Sequence, residues 1–205
     1  DPDLGSARAD NAIYYFSPVV ANLQGAVGYS FAPNSGTTGN EVAGSRNNDR
    51  LLNLGLRYDN GPVKAAATYE QLDPRDSTPN NGTIKNLSLG ASYNFGVATV
   101  HAGFARVNNL RNASYNGAPG FVTPTRNDDT AWTLGFSAPL RKGKLLGSYQ
   151  TATKSEVKQW ALGYQYNLSK RTDLYSFFTS TDYRNFTESR NFSGRQFALG
   201  LQHRF

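Results

Sequence analysis

The sequence contains no cysteine. Disulfides, thiolate metal sites and cysteine nucleophiles are therefore excluded together. It also lacks any long apolar run: the longest stretch of hydrophobic residues is the five of AIYYF, Ala12–Phe16. A membrane-spanning helix needs about 20 predominantly apolar residues, so none is possible here. Histidine is scarce, with only His101 and His203. No initiator methionine or signal peptide stands at the start, which reads as a processed chain or a fragment. Mean hydropathy is −0.55 with 38% hydrophobic residues, values ordinary for a water-soluble chain. A membrane barrel is compatible with them, because its strands hide their hydrophobicity in alternation.

Aromatic residues are abundant, with 12 Tyr, 12 Phe and 2 Trp among 205 residues. They recur with a period of two. Leu52, Leu54, Leu56 and Tyr58 alternate with Asn53, Gly55 and Arg57; Val63, Ala65, Ala67 and Tyr69 alternate with Lys64, Ala66, Thr68 and Glu70. The same pattern runs through Leu87 to Phe95, Val100 to Phe104, Trp132 to Phe136 and Trp160 to Leu168, and the chain ends on FALGLQHRF. Period two means strands, and eleven are expected, the first near Ile13 and the last ending at Phe205. Parity is ambiguous only near Tyr175, where Phe177 and Phe178 occupy both faces.

The connections segregate by length. Short turns at residues 17–22, 59–62 (DNGP), 94–97 (NFGV), 139–143 and 167–171 alternate with long polar stretches at 33–49, 73–83, 108–129 and 184–194. The connection at 152–156 is the one short member of the long set. Outer-membrane barrels have short periplasmic turns and longer outer loops. Tyr29, Tyr58, Tyr69, Tyr93 and Tyr166, at strand ends, would form an aromatic girdle. The competing reading is a soluble sandwich with the apolar face as its core. It leaves the segregation of loop lengths and the aromatic terminus unexplained.

NAIYYFSP (residues 11–18), YQYNLSKRT (residues 164–172) and the final LGLQHRF resemble segments of Gram-negative general porins of the neisserial and beta-proteobacterial type. The resemblance implies an all-β, transmembrane, antiparallel up-and-down barrel of about sixteen strands in the bacterial outer membrane. Residues 1–205 would then be one porin β-barrel domain, of which these are about eleven C-terminal strands, with the N-terminal strands and most of the constriction loop absent. It further implies a homotrimer and a terminal Phe205 read by the barrel assembly machinery. Family members often carry a basic and an acidic residue where this sequence has Tyr14 and Phe16. Eleven strands is an odd number, whereas bacterial single-chain barrels have an even one.

The expected function is a water-filled channel for ions and small hydrophilic solutes. An adhesin or anchoring barrel acting through its surface loops is the alternative. No enzyme activity, metal or cofactor is expected, since no motif marks a nucleophile and a lone His101 reads as a pore-wall residue. Twenty-one Lys and Arg against fifteen Asp and Glu give a net charge of +6. Nucleic acid is not the expected partner, because the basic residues are scattered and the aromatics lie on the opposite faces. The expected lumenal set is Arg8, Arg57, Lys64, His101, Arg184 and Arg204, with Glu70 as the opposing acid, which predicts anion preference. The turn cations Arg141, Lys142, Lys170 and Arg171 account for much of the remaining excess.

Overall fold

Alternating sequence becomes alternating structure in the described strands. A computed structural model describes residues 9–33, 49–73, 82–109, 128–154, 156–187 and 190–205. The strands are β1 (Ala12–Phe16), β2 (Leu23–Ser30), β3 (Arg50–Asn60), β4 (Val63–Asp73), β5 (Ile84–Asn94), β6 (Thr99–Asn108), β7 (Asp129–Leu140), β8 (Gly143–Ala152), β9 (Val157–Asn167), β10 (Thr172–Thr187) and β11 (Arg190–His203). They form one sheet in strict sequence order, each bonded to the next. This is the up-and-down meander that the loop pattern predicts. Of the expected long connections at 33–49, 73–83 and 108–129, residues 34–48, 74–81 and 110–127 lie outside the described residues.

The chain divides into two compact units. One comprises residues 1–59, 66–89 and 105–129, and the other 60–65, 90–104 and 130–205. In the first, register pairs Ile13 with Tyr29 and Tyr29 with Leu52, and it pairs Tyr15 with Val27 and Val27 with Leu54. In the second, one continuous apolar row runs Phe136, Gly147, Leu162, Phe178, Phe197 across β7 to β11. These cross-strand neighbours, a few ångströms apart, are the contacts that fix register. A one-residue slip would turn every one of them to the other face.

The apolar face is exposed. Leu134 is 60% accessible, Leu162 48% and Phe197 69%, while the buried hydrophobic residues among those described are only Ala32, Ile84 and Val107. A sandwich would bury this face against a second layer. Lipid is the solvent that such a face fits, with each strand's backbone bonded to that of its neighbours in the sheet.

Turn chemistry joins the strands. Ala21 and Asn22 both take positive φ, 50° and 66°, and the amides and carbonyls of Val20 and Leu23 bond reciprocally at 2.9 Å. Two positive φ values match the twist of the flanking strands. Gly61 and Gly96 supply the same backbone region in the DNGP and NFGV turns.

One connection differs from expectation. The polar stretch 184–194 is mostly strand: β10 reaches Thr187, which pairs with Arg190, and the register shifts between Tyr183 and Thr187. The rings of Tyr183 and Phe192, 6.0 Å apart, hold β10 and β11 together past the point where composition suggests a loop. Aromatic pairing across strands outweighs polar composition here.

Gly143 opens β8 where no side chain fits. A Cβ there would lie 2.1 Å from the Gln165 carbonyl oxygen and 2.8 Å from the Tyr164 hydroxyl, which donates to the Leu140 carbonyl at 3.0 Å. Gly143→Ala is expected to cost about 1–3 kcal/mol, the usual range for overpacking. A lower urea midpoint of the folded protein in lipid would register it.

Candidate pore wall

The face opposite the apolar one is built from small and amide side chains. In the second unit its rows run Gly135, Ser148, Ala161, Thr179, Gln196 and Thr133, Gln150, Gln159, Thr181, Gly194. In the first unit Gln24 pairs with Arg57, Ala26 with Gly55 and Gly28 with Asn53. Such a surface gains little from burial and is well solvated by water.

Register also settles β10. Phe178 stands between Leu162 and Phe197 on the apolar face, its ring 5.2 Å from that of Trp160. Tyr175 and Phe177 stand on the polar face, stacked 6.5 Å apart at 7°. Gly200 leaves room for them: a Cβ there would lie 2.3 Å from the Tyr175 ring. A parallel device serves β1, where the Tyr14 ring covers Gly28 and its hydroxyl sits 3.5 Å from the Asn53 amide nitrogen. Tyr14 and Phe16 thus put uncharged rings on the polar face where the resemblance leads one to expect a base and an acid.

The expected lumenal charges fall into several situations. Arg57 is an exposed polar-face residue that donates to Asp59 at 3.3 Å. Arg204 reaches Asp173 at the same distance, and that carboxylate is 8% accessible. Both acids lie on the polar face and neither was expected there. In sequence Asp59 belongs to the DNGP turn, and Asp173 precedes the alternation that begins at Leu174. Lys64 is exposed on the face of Ala66 and Thr68, whereas Glu70 is half-buried. Arg8 lies outside the described residues.

Arg184 does not share the expected face. It follows Tyr183, which pairs with Val157 and Phe192 on the polar side, so alternation turns Arg184 toward the apolar side where the register begins to shift.

His101 stands on the polar face with its Nε2 3.5 Å from Ser137 Oγ. The same wall carries Lys144, which pairs with Pro139 and Gln165. A hollow of about 170 Å³ there is lined by Asn94, Thr99, Ser137, Pro139 and Lys144. Lys144 escaped the sequence reading because it adjoins the turn cations, and only the pairing partner shows that it has entered the strand. Phe205 is fully exposed, its ring 4.8 Å from that of His203.

A two-faced, sequentially wound antiparallel sheet is also what the comparisons with known proteins return. The family described as Gram-negative porin matches residues 2–185. An outer membrane porin protein of Bordetella pertussis is 28% identical over 98% of this chain and 59% of its own length. Among solved structures, an anion-selective porin from Comamonas acidovorans superposes with a TM-score of 0.63 at 25% identity, covering 95% of this chain and 58% of that one. The outer membrane channel DcaP of Acinetobacter baumannii shares the fold, with a TM-score of 0.65 at 14% identity over 95% of this chain and 62% of that one. The chain spans less than two thirds of the length of each of these relatives. With its wound sheet and its segregated faces, the chain belongs to the Gram-negative porin family.

Proposed function

We propose that this chain forms part of the wall of a water-filled channel in the bacterial outer membrane, passing ions and small hydrophilic solutes with a preference for anions. The observation that carries the reading is the separation of faces: a row of the exposed Phe136, Leu162 and Phe197 with the half-buried Phe178 on one side, and amides, hydroxyls and glycines on the other. The first suits hydrocarbon and the second water, and among the described residues only Ala32, Ile84 and Val107 are buried hydrophobics. The named relatives support it, one being an outer membrane porin protein and one an anion-selective porin.

In this reading residues 1–205 are one barrel domain's worth of wall, completed by further strands to about sixteen, the size that leaves an aqueous channel. Three such barrels would assemble as a trimer, and Phe205 would serve as the mark that the assembly machinery reads. Among the polar-face cations, Arg57 and Arg204 are offset by Asp59 and Asp173. The polar face of the second unit also carries the exposed Lys64 and Lys144, with His101 beside the latter's wall. Solutes would be selected by charge and size and not transformed.

Reconstitution of the gene's full-length product in planar bilayers tests this. Stepwise, ohmic, water-filled conductance is expected, with a reversal potential in a salt gradient of the sign for anions. A barrel that inserts and conducts nothing would overturn the channel reading in favour of a plugged, loop-presenting one. Arg57→Glu should move the reversal potential toward cations, since it leaves two carboxylates where a neutral pair stood.

A further inference from the structure

The polar wall of the second unit carries an apolar patch. Leu146 interrupts the run of Lys144, Ser148 and Gln150 along its face of β8, and it is 39% accessible. In register it stands beside Gly163 of β9, which stands beside Phe177 of β10, so the three form one row. The neighbouring row toward the short-turn end is Lys144, Gln165 and Tyr175. Tyr175 is also 39% accessible, and its ring lies parallel to that of Phe177, 6.5 Å away. Hydrocarbon left in contact with water gives back free energy to any solute that covers it.

Gly163 makes this patch a trough. Elsewhere in the sheet an aromatic ring lies over the glycine of the adjacent strand: Tyr14 over Gly28, Phe136 over Gly147 and Tyr175 over Gly200. At Gly163 the atoms nearest the place of a Cβ are the Phe177 Cβ and the Ser176 carbonyl oxygen, each at 3.3 Å, and no ring atom lies within 3.9 Å. Leu146 and Phe177 are two strands apart, about 10 Å between backbones, with only that glycine between them. The gap admits one flat ring. Its rim carries charge: Lys144 is exposed, and among the described residues its ammonium holds no ion pair and the Gln165 amide has no hydrogen-bond partner. Asp173, one row further toward the turns, accepts from Arg204 at 3.3 Å and leaves the charge of Lys144 standing.

We propose that this trough is a subsite for small organic anions that join an aromatic ring to a carboxylate. The ring enters between Leu146 and Phe177 over Gly163, within reach of the Tyr175 ring. The carboxylate accepts from the Lys144 ammonium and the Gln165 amide. The two rows lie about 7 Å apart along the strands, a span that a ring and its carboxylate bridge with the flexible lysine stem. Contact between rings adds to the gain from covering apolar area, and the ammonium offers a charge-assisted hydrogen bond. An inorganic anion leaves the trough uncovered, and a neutral ring leaves the lysine unanswered. The proposal rests on the pore-wall reading to the extent that this face must meet water, and it names a solute class where that reading gives only charge and size.

The test uses the gene's full-length product in micelles of a non-ionic detergent. Equilibrium dialysis against labelled phenylacetate, acetate and phenylacetamide, with empty micelles as reference, measures the retention of each. Phenylacetate is expected to be held most tightly. Phe177→Ala should weaken phenylacetate about two- to tenfold and leave acetate unchanged, whereas Phe177→Tyr, which keeps the ring, should retain the wild-type affinity. Lys144→Gln should weaken phenylacetate about fivefold and leave phenylacetamide unchanged. Acetate held as tightly as phenylacetate would reduce the site to a charge and overturn the proposal. Phenylacetamide held as tightly would reduce it to an apolar patch and overturn it too. So would a phenylacetate affinity unmoved by Phe177→Ala, or lost equally in Phe177→Tyr. Conductance in planar bilayers separates this proposal from the channel reading: a protein that holds phenylacetate through Phe177 and Lys144 but passes no current sustains the subsite and defeats the channel. One that conducts without preferring phenylacetate does the reverse.

Discussion

Leu162→Arg is expected to destabilise the folded protein in lipid by about 2–4 kcal/mol, the penalty for a cation on the lipid face of a barrel near the bilayer midplane. Leu162 is the central member of the row Phe136, Gly147, Leu162, Phe178, Phe197. It lies in the middle of β9, too far from either strand end for an arginine to bring its guanidinium to water at no cost. A glycine on one side and a phenylalanine on the other offer no acceptor. Thr179→Arg, placed on the other face of the adjacent strand, is expected to leave stability nearly unchanged because its side chain meets water. Urea titrations of both variants in vesicles, followed by gel mobility of the folded form, check the contrast. Equal penalties would mean that the two faces see the same solvent, and the wall reading would fail.

Which parts of this could be read from the sequence follows from what alternation can and cannot encode. Strands with one clean apolar parity, such as β3 and β9, are legible because the period of two is written in the side chains themselves. β10 is not, because Phe177 and Phe178 are both aromatic; its phase is set by neighbours, Gly200 vacating space for Tyr175 on one face and Trp160 receiving Phe178 on the other. That phase carries Asp173 to the polar face and turns Arg184 toward the other. Charge partners are hidden for a related reason. Arg204 and Asp173 are 31 residues apart, and only register brings them together.

Converting Lys64 and Lys144 together to Glu should turn an anion-preferring pore into a cation-preferring one. Both are exposed on the polar face of the second unit. Arg204 in the same unit is already offset by Asp173, so it cannot hold the sign once the lysines are gone. In water a unit charge at 4 Å is worth about 1 kcal/mol, roughly a fivefold change in the local concentration of a monovalent ion. Each Lys→Glu swaps attraction for repulsion, so the double variant changes the wall by four charges, twice the change made by Arg57→Glu. The effect should be graded by salt. At 0.1 M the screening length of about 10 Å lets a wall charge act across much of the aqueous path, and at 1 M about 3 Å confines it to ions touching the wall. Reversal potentials measured across matched gradients at the two ionic strengths should therefore differ most between wild type and double variant at the lower one. A conducting double variant with the wild-type reversal potential would mean that these lysines do not face the conducting path, and that selectivity is set by segments other than these strands.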